Sequence, residues 1–222
     1  MDYKSEFITF MAKAGALTFG DFTTKSGRKT PYFVNTGKYC NGDQIALLGS
    51  FYADCIMANI KTQENTVLFG PAYKGIALAV SASIALAGRG VKVNYCFNRK
   101  EEKDHGEGGA LVGHKLIKGD RVLIIEDVIT AGTAVREVLP IIQNAGAIAE
   151  GLIISVDRME RGAGEKTAIQ EIREEFAIPT FPIVNVRDII QCLHNRPVDG
   201  KVLIDNEIAA RMEAYMNEYC LY

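Results

Sequence analysis

Val122-Leu-Ile-Ile-Glu-Asp-Val-Ile-Thr-Ala-Gly-Thr-Ala134 passes from an apolar run through two acids into a turn of small residues. The uninterrupted run Val122 to Ile125 has the character of a parallel strand covered on both faces. Such a strand delivers its next residues to the carboxyl edge of a sheet, where open α/β folds bind ligands. Glu126 and Asp127 reach that edge first, and carboxylates there suit sugar hydroxyls or a metal. Thr130, Ala131, Gly132, Thr133 and Ala134 follow, with little side-chain bulk to hold a ligand off the backbone. Their N–H groups, the Thr hydroxyls and the first turn of the next helix form an anion cradle suited to one phosphate. Acids for ribose hydroxyls beside amides for a phosphate are what a ribose 5-phosphate group requires.

Spacing alone also admits an ordinary βα turn with no ligand. A Rossmann cofactor site is disfavoured, because no Gly-x-Gly-x-x-Gly follows any predicted strand. A Walker-type loop is disfavoured too. The nearest approach, Gly109-Ala-Leu-Val-Gly-His-Lys115, has the wrong spacing and no Ser or Thr after its Lys.

Working outward, 222 residues with 48% hydrophobic and 23% charged content suffice for one substantial core. A net charge of −2 gives no global field toward nucleic acid or a membrane, so any anion site must be basic locally. Five scattered cysteines, without Cys-x-x-Cys or clustered His, favour reduced thiols and a cytoplasmic setting over disulfides or zinc. The start of the chain has no signal-peptide core, and the most apolar stretch, Ile76 to Ala87, is too short to span a bilayer. With no repeat or linker, one domain over 1–222 is expected.

Phe7, Phe10, Met11 and Ala14 share one helical face, which predicts a helix over 3–14. Short strands are expected at Leu17–Thr24 and Tyr32–Asn35, then a helix capped by Asp43 with Ile45, Leu48, Tyr52, Cys55 and Ile56 along its apolar face. Strands at 66–69, 91–97, 121–126, 147–155 and 180–184 alternate with helices at 75–88, 132–145 and near 165–176. That order predicts an α/β fold, a mostly parallel twisted sheet flanked by helices and doubly wound. Pro140 is expected to kink or shorten the helix at 132–145. After Arg187 come a short helix and a last amphipathic one bearing Ile204, Ile208, Met212, Tyr215 and Tyr219. The N-terminal helix and first strands are expected to make a small hood, approximately 1–40, over a core of approximately 41–195, with a helical tail at 196–222.

Two more segments carry chemistry. Phe69-Gly-Pro-Ala-Tyr-Lys-Gly75 follows a predicted strand, so its backbone amides and Lys74 offer a second anion cradle at the same sheet edge. A plain turn with a surface lysine reads the same way. Two such turns on adjacent strands would let one ligand with separated phosphates bridge them. Residues 98–110, Asn-Arg-Lys-Glu-Glu-Lys-Asp-His-Gly-Glu-Gly-Gly-Ala, are polar or small throughout and cannot be core. Composition favours a solvated loop. Yet Arg99, Lys100, Lys103 and His105 lie close together, with Gly106, Gly108 and Gly109 as hinges, which suits closure on a polyanion.

The 122–134 stretch resembles the phosphoribosyl-pyrophosphate (PRPP) signature of type I phosphoribosyltransferases. Adding 98–109, 69–75, Ser155-Val-Asp-Arg-Met-Glu-Arg161 and the run Phe19 to Asn35 narrows the resemblance to the bacterial orotate phosphoribosyltransferases, over roughly residues 1–195. The tail from Arg196 adds little to it. The resemblance implies that Lys25 reaches both substrates, and that Phe33, Val34, Thr130 and Arg158 bind orotate. It puts Tyr73, Lys74, Arg99, Lys100, Lys103 and His105 on the pyrophosphate, the 69–75 turn often carrying a cis peptide that here would be Ala72–Tyr73. Glu126, Asp127, Val128, Ile129, Thr130, Ala131, Gly132, Thr133 and Ala134 would hold the ribose 5-phosphate. Glu126 departs from the family, which usually has Asp there, and is longer by a methylene.

What the resemblance implies is transfer of ribose 5-phosphate from PRPP to orotate, giving orotidine 5-phosphate and pyrophosphate in pyrimidine biosynthesis. The alternatives are a phosphoribosyltransferase for another base and a PRPP-binding regulator without catalysis. Displacing pyrophosphate from ribose C1 needs positioning and electrostatics rather than a protein nucleophile. Catalytic weight would fall on Lys103, Arg99, Lys100, His105 and Asp127. Mg²⁺ is implied as cofactor, held mainly by PRPP and water with no direct protein ligand. A homodimer that shares the 99–109 loop between subunits is also implied. A fused decarboxylase barrel of ~250 residues would not fit in this length, so the next step is expected to belong to another protein.

Overall fold

Alternation along β6 (Arg121–Glu126) divides the molecule into two layers. Val122 and Ile124 join one core cluster, Leu123 and Ile125 the other, and all four are fully buried. Each such side chain contributes about 1.5–3 kcal/mol by leaving water. The computed structural model describes residues 2–24, 27–100, 111–129, 131–162 and 164–221. The central sheet has six strands in the order β5-β4-β3-β6-β7-β8, with β3 at Thr66–Phe69, β4 at Asn94–Asn98, β5 at Leu111–Gly113, β7 at Ile148–Asp157 and β8 at Thr180–Asn185. All neighbours pair in parallel except β5, which runs antiparallel to β4. The chain winds outward from β3 to β4 and outward the other way from β6 through β7 to β8. The switch point therefore lies between β3 and β6, where a crevice opens at the strands' carboxyl ends.

On one face lie α1 (Tyr3–Lys13), α2 (Gly42–Asn59), α3 (Lys74–Gly88), α6 (Val186–Leu193) and α7 (Asn206–Tyr219), which feed one cluster. The other face is covered by α4 (Thr133–Asn144) and α5 (Ala168–Phe176). Two expectations fail in detail. Asp43 does not cap α2. Asn41 does, accepting the Gln44 N–H at 2.9 Å, and Asp43 sits in the first turn, where its charge favours the helix dipole. Pro140 neither shortens nor interrupts α4. It lies on the exposed face of the helix, where water can satisfy the carbonyl that it leaves without a partner.

The N-terminal segment adds α1, whose Phe7, Ile8 and Met11 enter the first cluster, and an antiparallel hairpin of β1 (Leu17–Thr23) and β2 (Lys29–Val34). The second strand begins three residues earlier than its pattern predicts, at Lys29 rather than Tyr32. The C-terminal tail, a small β9 (Pro197–Val198) and β10 (Lys201–Val202) ladder followed by α7, holds this hairpin in place. Tyr215 meets the Tyr32 ring edge-on at 6.1 Å, Arg211 reaches the Gly20 carbonyl at 3.3 Å, and the Arg28 guanidinium lies 5.2 Å from the Tyr219 ring. Within α7 the buried residues are Ala209, Met212, Tyr215 and Met216, while Ile204 precedes the helix. Among the described residues no helix is long and apolar enough to cross a membrane.

Candidate active site

At the carboxyl end of β6 the backbone of both acids is clamped from two sides. The Tyr52 hydroxyl of α2 donates to the Glu126 carbonyl at 2.6 Å. Ser155 of β7 donates to the Asp127 carbonyl through its N–H at 2.8 Å and its hydroxyl at 2.6 Å. The Asp127 side chain is buried, and its Oδ2 accepts from Thr36 Oγ1 and from Lys74 Nζ, each at 2.6 Å. Burial alone would raise its pKa, but the Lys74 and Thr36 hydrogen bonds outweigh it and hold Asp127 below its ordinary value. Glu126 Oε2 accepts the Asp127 N–H at 3.1 Å, which does not offset its burial. Burial, then the neighbouring Asp127 charge, pushes its carboxyl up to about 7. Of the two carboxyls, Glu126 takes the first proton and Asp127 stays ionised.

The turn after β3 stands beside this pair, since Phe69 is in register with Ile124. Its Ala72–Tyr73 peptide is cis, at the bond the resemblance singled out. Asn98, buried at the end of β4, accepts the Ala72 N–H at 2.9 Å. Gly70 and Gly75 allow the turn to pack so closely: a Cβ on Gly70 would lie 2.2 Å from the Gly75 carbonyl oxygen, and one on Gly75 would lie 2.8 Å from that of Ile125. Tyr73 projects outward, 74% exposed. Neither α3, entered through Tyr73, nor α4, entered through Gly132 at φ 68°, has a side-chain cap at its N-terminus. Two sets of first-turn N–H groups are thus presented at adjacent strand ends, an arrangement suited to two separate phosphate groups.

The structure brings Tyr73, Lys74, Glu126, Asp127, Val128, Ile129, Ala131, Gly132, Thr133 and Ala134 to the carboxyl ends of β3 and β6. Ile129 is partly buried and packs against the second core cluster. Arg99 and Lys100 follow β4, and Lys100 pairs with Glu137 of α4 at 3.0 Å on the surface. Lys25, Thr130, Lys103 and His105 lie outside the described residues, as does most of the 99–109 loop. In the hairpin, Phe33 is exposed and stacks on Phe22 at 5.6 Å, while Val34 is half-buried. Arg158 is a largely buried fork. Its Nε donates to Glu160 Oε1 at 2.8 Å and its guanidinium lies 4.5 Å from the Tyr32 ring. With both side chains largely buried, this pair is not a surface salt bridge.

Thr36, Tyr52, Asn98, Ser155 and Glu160 were not expected in the site, Tyr52 being placed only on the apolar face of its helix. Two of them left a signal: Asn98 and Ser155 are polar residues at the carboxyl ends of apolar strands, flanking the two anion turns. No group of three or more His, Cys, Asp or Glu able to hold a metal occurs among the described residues.

Comparison with known proteins places this geometry. The phosphoribosyl transferase domain family matches residues 41–181. The chain is 53% identical over 219 residues to the orotate phosphoribosyltransferase of Clostridium beijerinckii, covering 98% of this chain and 97% of that one. It is 47% identical to the enzyme of the same name from Bifidobacterium longum, covering 96% of each. Among solved structures it is similar to the orotate phosphoribosyltransferase of Francisella tularensis, with a TM-score of 0.84, 34% identity, and coverage of 97% of this chain and 100% of that one.

Proposed function

The chain belongs to the orotate phosphoribosyltransferases, and from that premise we propose how its residues divide the reaction. The enzyme transfers the ribose 5-phosphate group of PRPP to orotate, forming orotidine 5-phosphate and pyrophosphate in pyrimidine biosynthesis. A bond forms between the attacking ring nitrogen and ribose C1 while the bond from C1 to pyrophosphate breaks. Positive charge builds on the ribose and negative charge on the leaving group, so the protein's task is orientation and charge stabilisation.

In our reading the amides and hydroxyls of 130–134 anchor the 5-phosphate, with Val128 and Ile129 shaping the turn. Glu126 and Asp127 accept from the ribose hydroxyls. Tyr73 and Lys74, with Arg99, Lys100, Lys103 and His105, meet the pyrophosphate. The observation that carries this division is the Lys74–Asp127 contact at 2.6 Å. The cation meant for the leaving group and the acid meant for the ribose stand within hydrogen-bonding distance of each other. PRPP would separate them, drawing Lys74 to a phosphate and freeing Asp127 for the sugar. Orotate would sit between Phe33, Val34, Lys25 and Thr130 on one side and the Arg158 fork on the other.

Phosphoribosyltransferases generally use Mg²⁺ with PRPP. The donor set fits an ion held by PRPP oxygens and water, because among the described residues the carboxylates at the two turns are Glu126 and Asp127, and the latter is already engaged. When bound, Mg²⁺ supplies charge neutralisation on the pyrophosphate.

Three segments would work as one unit: the hood, approximately 1–40, and the tail, 196–222, closing over the core. Phe7, Leu48, Ile125 and Met212 in one cluster support this. A homodimer sharing the 99–109 loop fits the exposed apolar side chains of Leu47, Met57, Ile84 and Tyr95 on α2, α3 and β4. A cytoplasmic setting accords with the unpaired thiols of Cys40, Cys55, Cys96, Cys192 and Cys220. The test is the loss of orotate absorbance with PRPP and Mg²⁺, run in parallel with uracil, hypoxanthine and adenine. Turnover of orotate alone is expected, and preferential turnover of another base would overturn the assignment of the base pocket.

A further inference from the structure

The Arg158 side chain is held by more than the pocket it would serve. Its Nε and Nη2 both donate to Glu160 Oε1, the former at 2.8 Å, and the Tyr215 hydroxyl of α7 donates to the same oxygen at 2.7 Å. Tyr32 of the hood lies under the guanidinium at 4.5 Å and meets Tyr215 edge-on. The backbone around Arg158 is fixed by the end of the chain. Glu160 bridges to Cys220, the Leu221 N–H donates to the Met159 carbonyl at 2.9 Å, and the Arg161 N–H donates to the Tyr219 carbonyl at 2.8 Å. Met159 has a left-handed φ of 57°, and Asp157 accepts its N–H at 2.7 Å.

From this arrangement we propose that Glu160 is a positioning residue for orotate, holding Arg158 in one orientation with Tyr215 of the C-terminal helix as its support. The proposal rests on the assignment of Arg158 to orotate given above. Two of the guanidinium's N–H directions are spent on Glu160, so the remaining Nη1 edge is the one aimed at a ligand. An arginine without this anchor keeps its charge but loses its aim, and must be immobilised when the base binds. Because every hydrogen bond converges on a single carboxyl oxygen, glutamine can replace glutamate as acceptor, without the charge. The C-terminal helix thereby becomes part of base selection rather than an appendage.

Steady-state kinetics of the full-length enzyme test this, with KM for orotate and for PRPP measured separately. Removal of a charge-assisted acceptor predicts that Glu160→Ala raises KM for orotate about tenfold. KM for PRPP should stay near wild type, while the thermal midpoint falls because a largely buried guanidinium loses its partner. Glu160→Gln should restore most of the orotate affinity, leaving a rise of about threefold, because a neutral acceptor is weaker but correctly placed. Tyr215→Phe should give a similar rise of about threefold, and it decides the matter if Glu160→Ala does not fold. An unchanged orotate KM in Tyr215→Phe and Glu160→Ala, or an equal rise for both substrates, would overturn the proposal. Arg158→Ala separates the two levels. If it leaves orotate KM unchanged, the assignment of Arg158 fails; if it alone raises that KM, only the role of Glu160 fails.

Discussion

Replacing Glu126 by Gln removes a proton-binding group from the floor of the site while keeping its shape. Folded, Glu126 holds its proton up to about pH 7, against an ordinary value of 4.5, because it is buried and sits beside ionised Asp127. Between those values the folded state binds the extra proton and the unfolded state does not, so stability falls as pH rises. The contribution is fully present below the unfolded value and lost once pH passes the folded one. The gap is worth about 3 kcal/mol. For a chain of this size that corresponds to roughly 6–12 °C in thermal midpoint. Melting curves of ligand-free wild type and Glu126→Gln at intervals from pH 5 to 8.5 isolate the effect, because the other titrating groups cancel in the difference. Near pH 5 the two proteins should melt within about 3 °C of each other, and above pH 7.5 the variant should melt higher by roughly the full amount. A difference that stays constant across the range would refute the reasoning. The same proton should make PRPP bind more tightly to wild type as pH rises through 7, a dependence that the Gln variant lacks.

Lys74→Ala should raise KM for PRPP about tenfold and also lower the melting temperature, since the lysine is largely exposed but its buried partner Asp127 loses a charge-assisted hydrogen bond. Both readouts come from one preparation. Gly70→Ala puts a Cβ 2.2 Å from the Gly75 carbonyl oxygen. It should cost about 3 kcal/mol in urea unfolding, and a neutral result would mean that the turn is less tightly packed than described. Mixing inactive Lys103→Ala chains with inactive Asp127→Asn chains should restore part of the activity, because a shared loop leaves one intact site in each mixed dimer. No recovery would count against sharing.

The sheet was legible because β3, β6 and β7 are apolar along nearly their whole length and end in turns with distinctive chemistry. The two turns followed from the same stretches, and the cis bond at Ala72–Tyr73 from the family resemblance. What escaped was either short or distant. β5 is three residues long and ends in glycine, too little for a periodic signal. Thr36 reaches Asp127 across 91 positions, and Tyr215 reaches Glu160 across 55. Contacts of that kind are created by the fold and leave no pattern in a local window. The tail drew little weight because its helix reads as an ordinary amphipathic one. Its value lies in where Tyr215, Tyr219 and Cys220 land. Pro140 misled for a related reason: a proline's cost depends on which side of the helix it occupies.

In the proposed binding mode, two turns on neighbouring strands hold the two ends of PRPP, with the acids between them. A crystal structure with PRPP and Mg²⁺ bound tests it most directly. The 5-phosphate is expected on the 131–134 amides, Glu126 and Asp127 on the ribose hydroxyls, and the pyrophosphate at Tyr73–Lys74 with the Lys74–Asp127 contact broken. Pyrophosphate on the 131–134 turn, or a Lys74 still bound to Asp127 with PRPP in place, would contradict it.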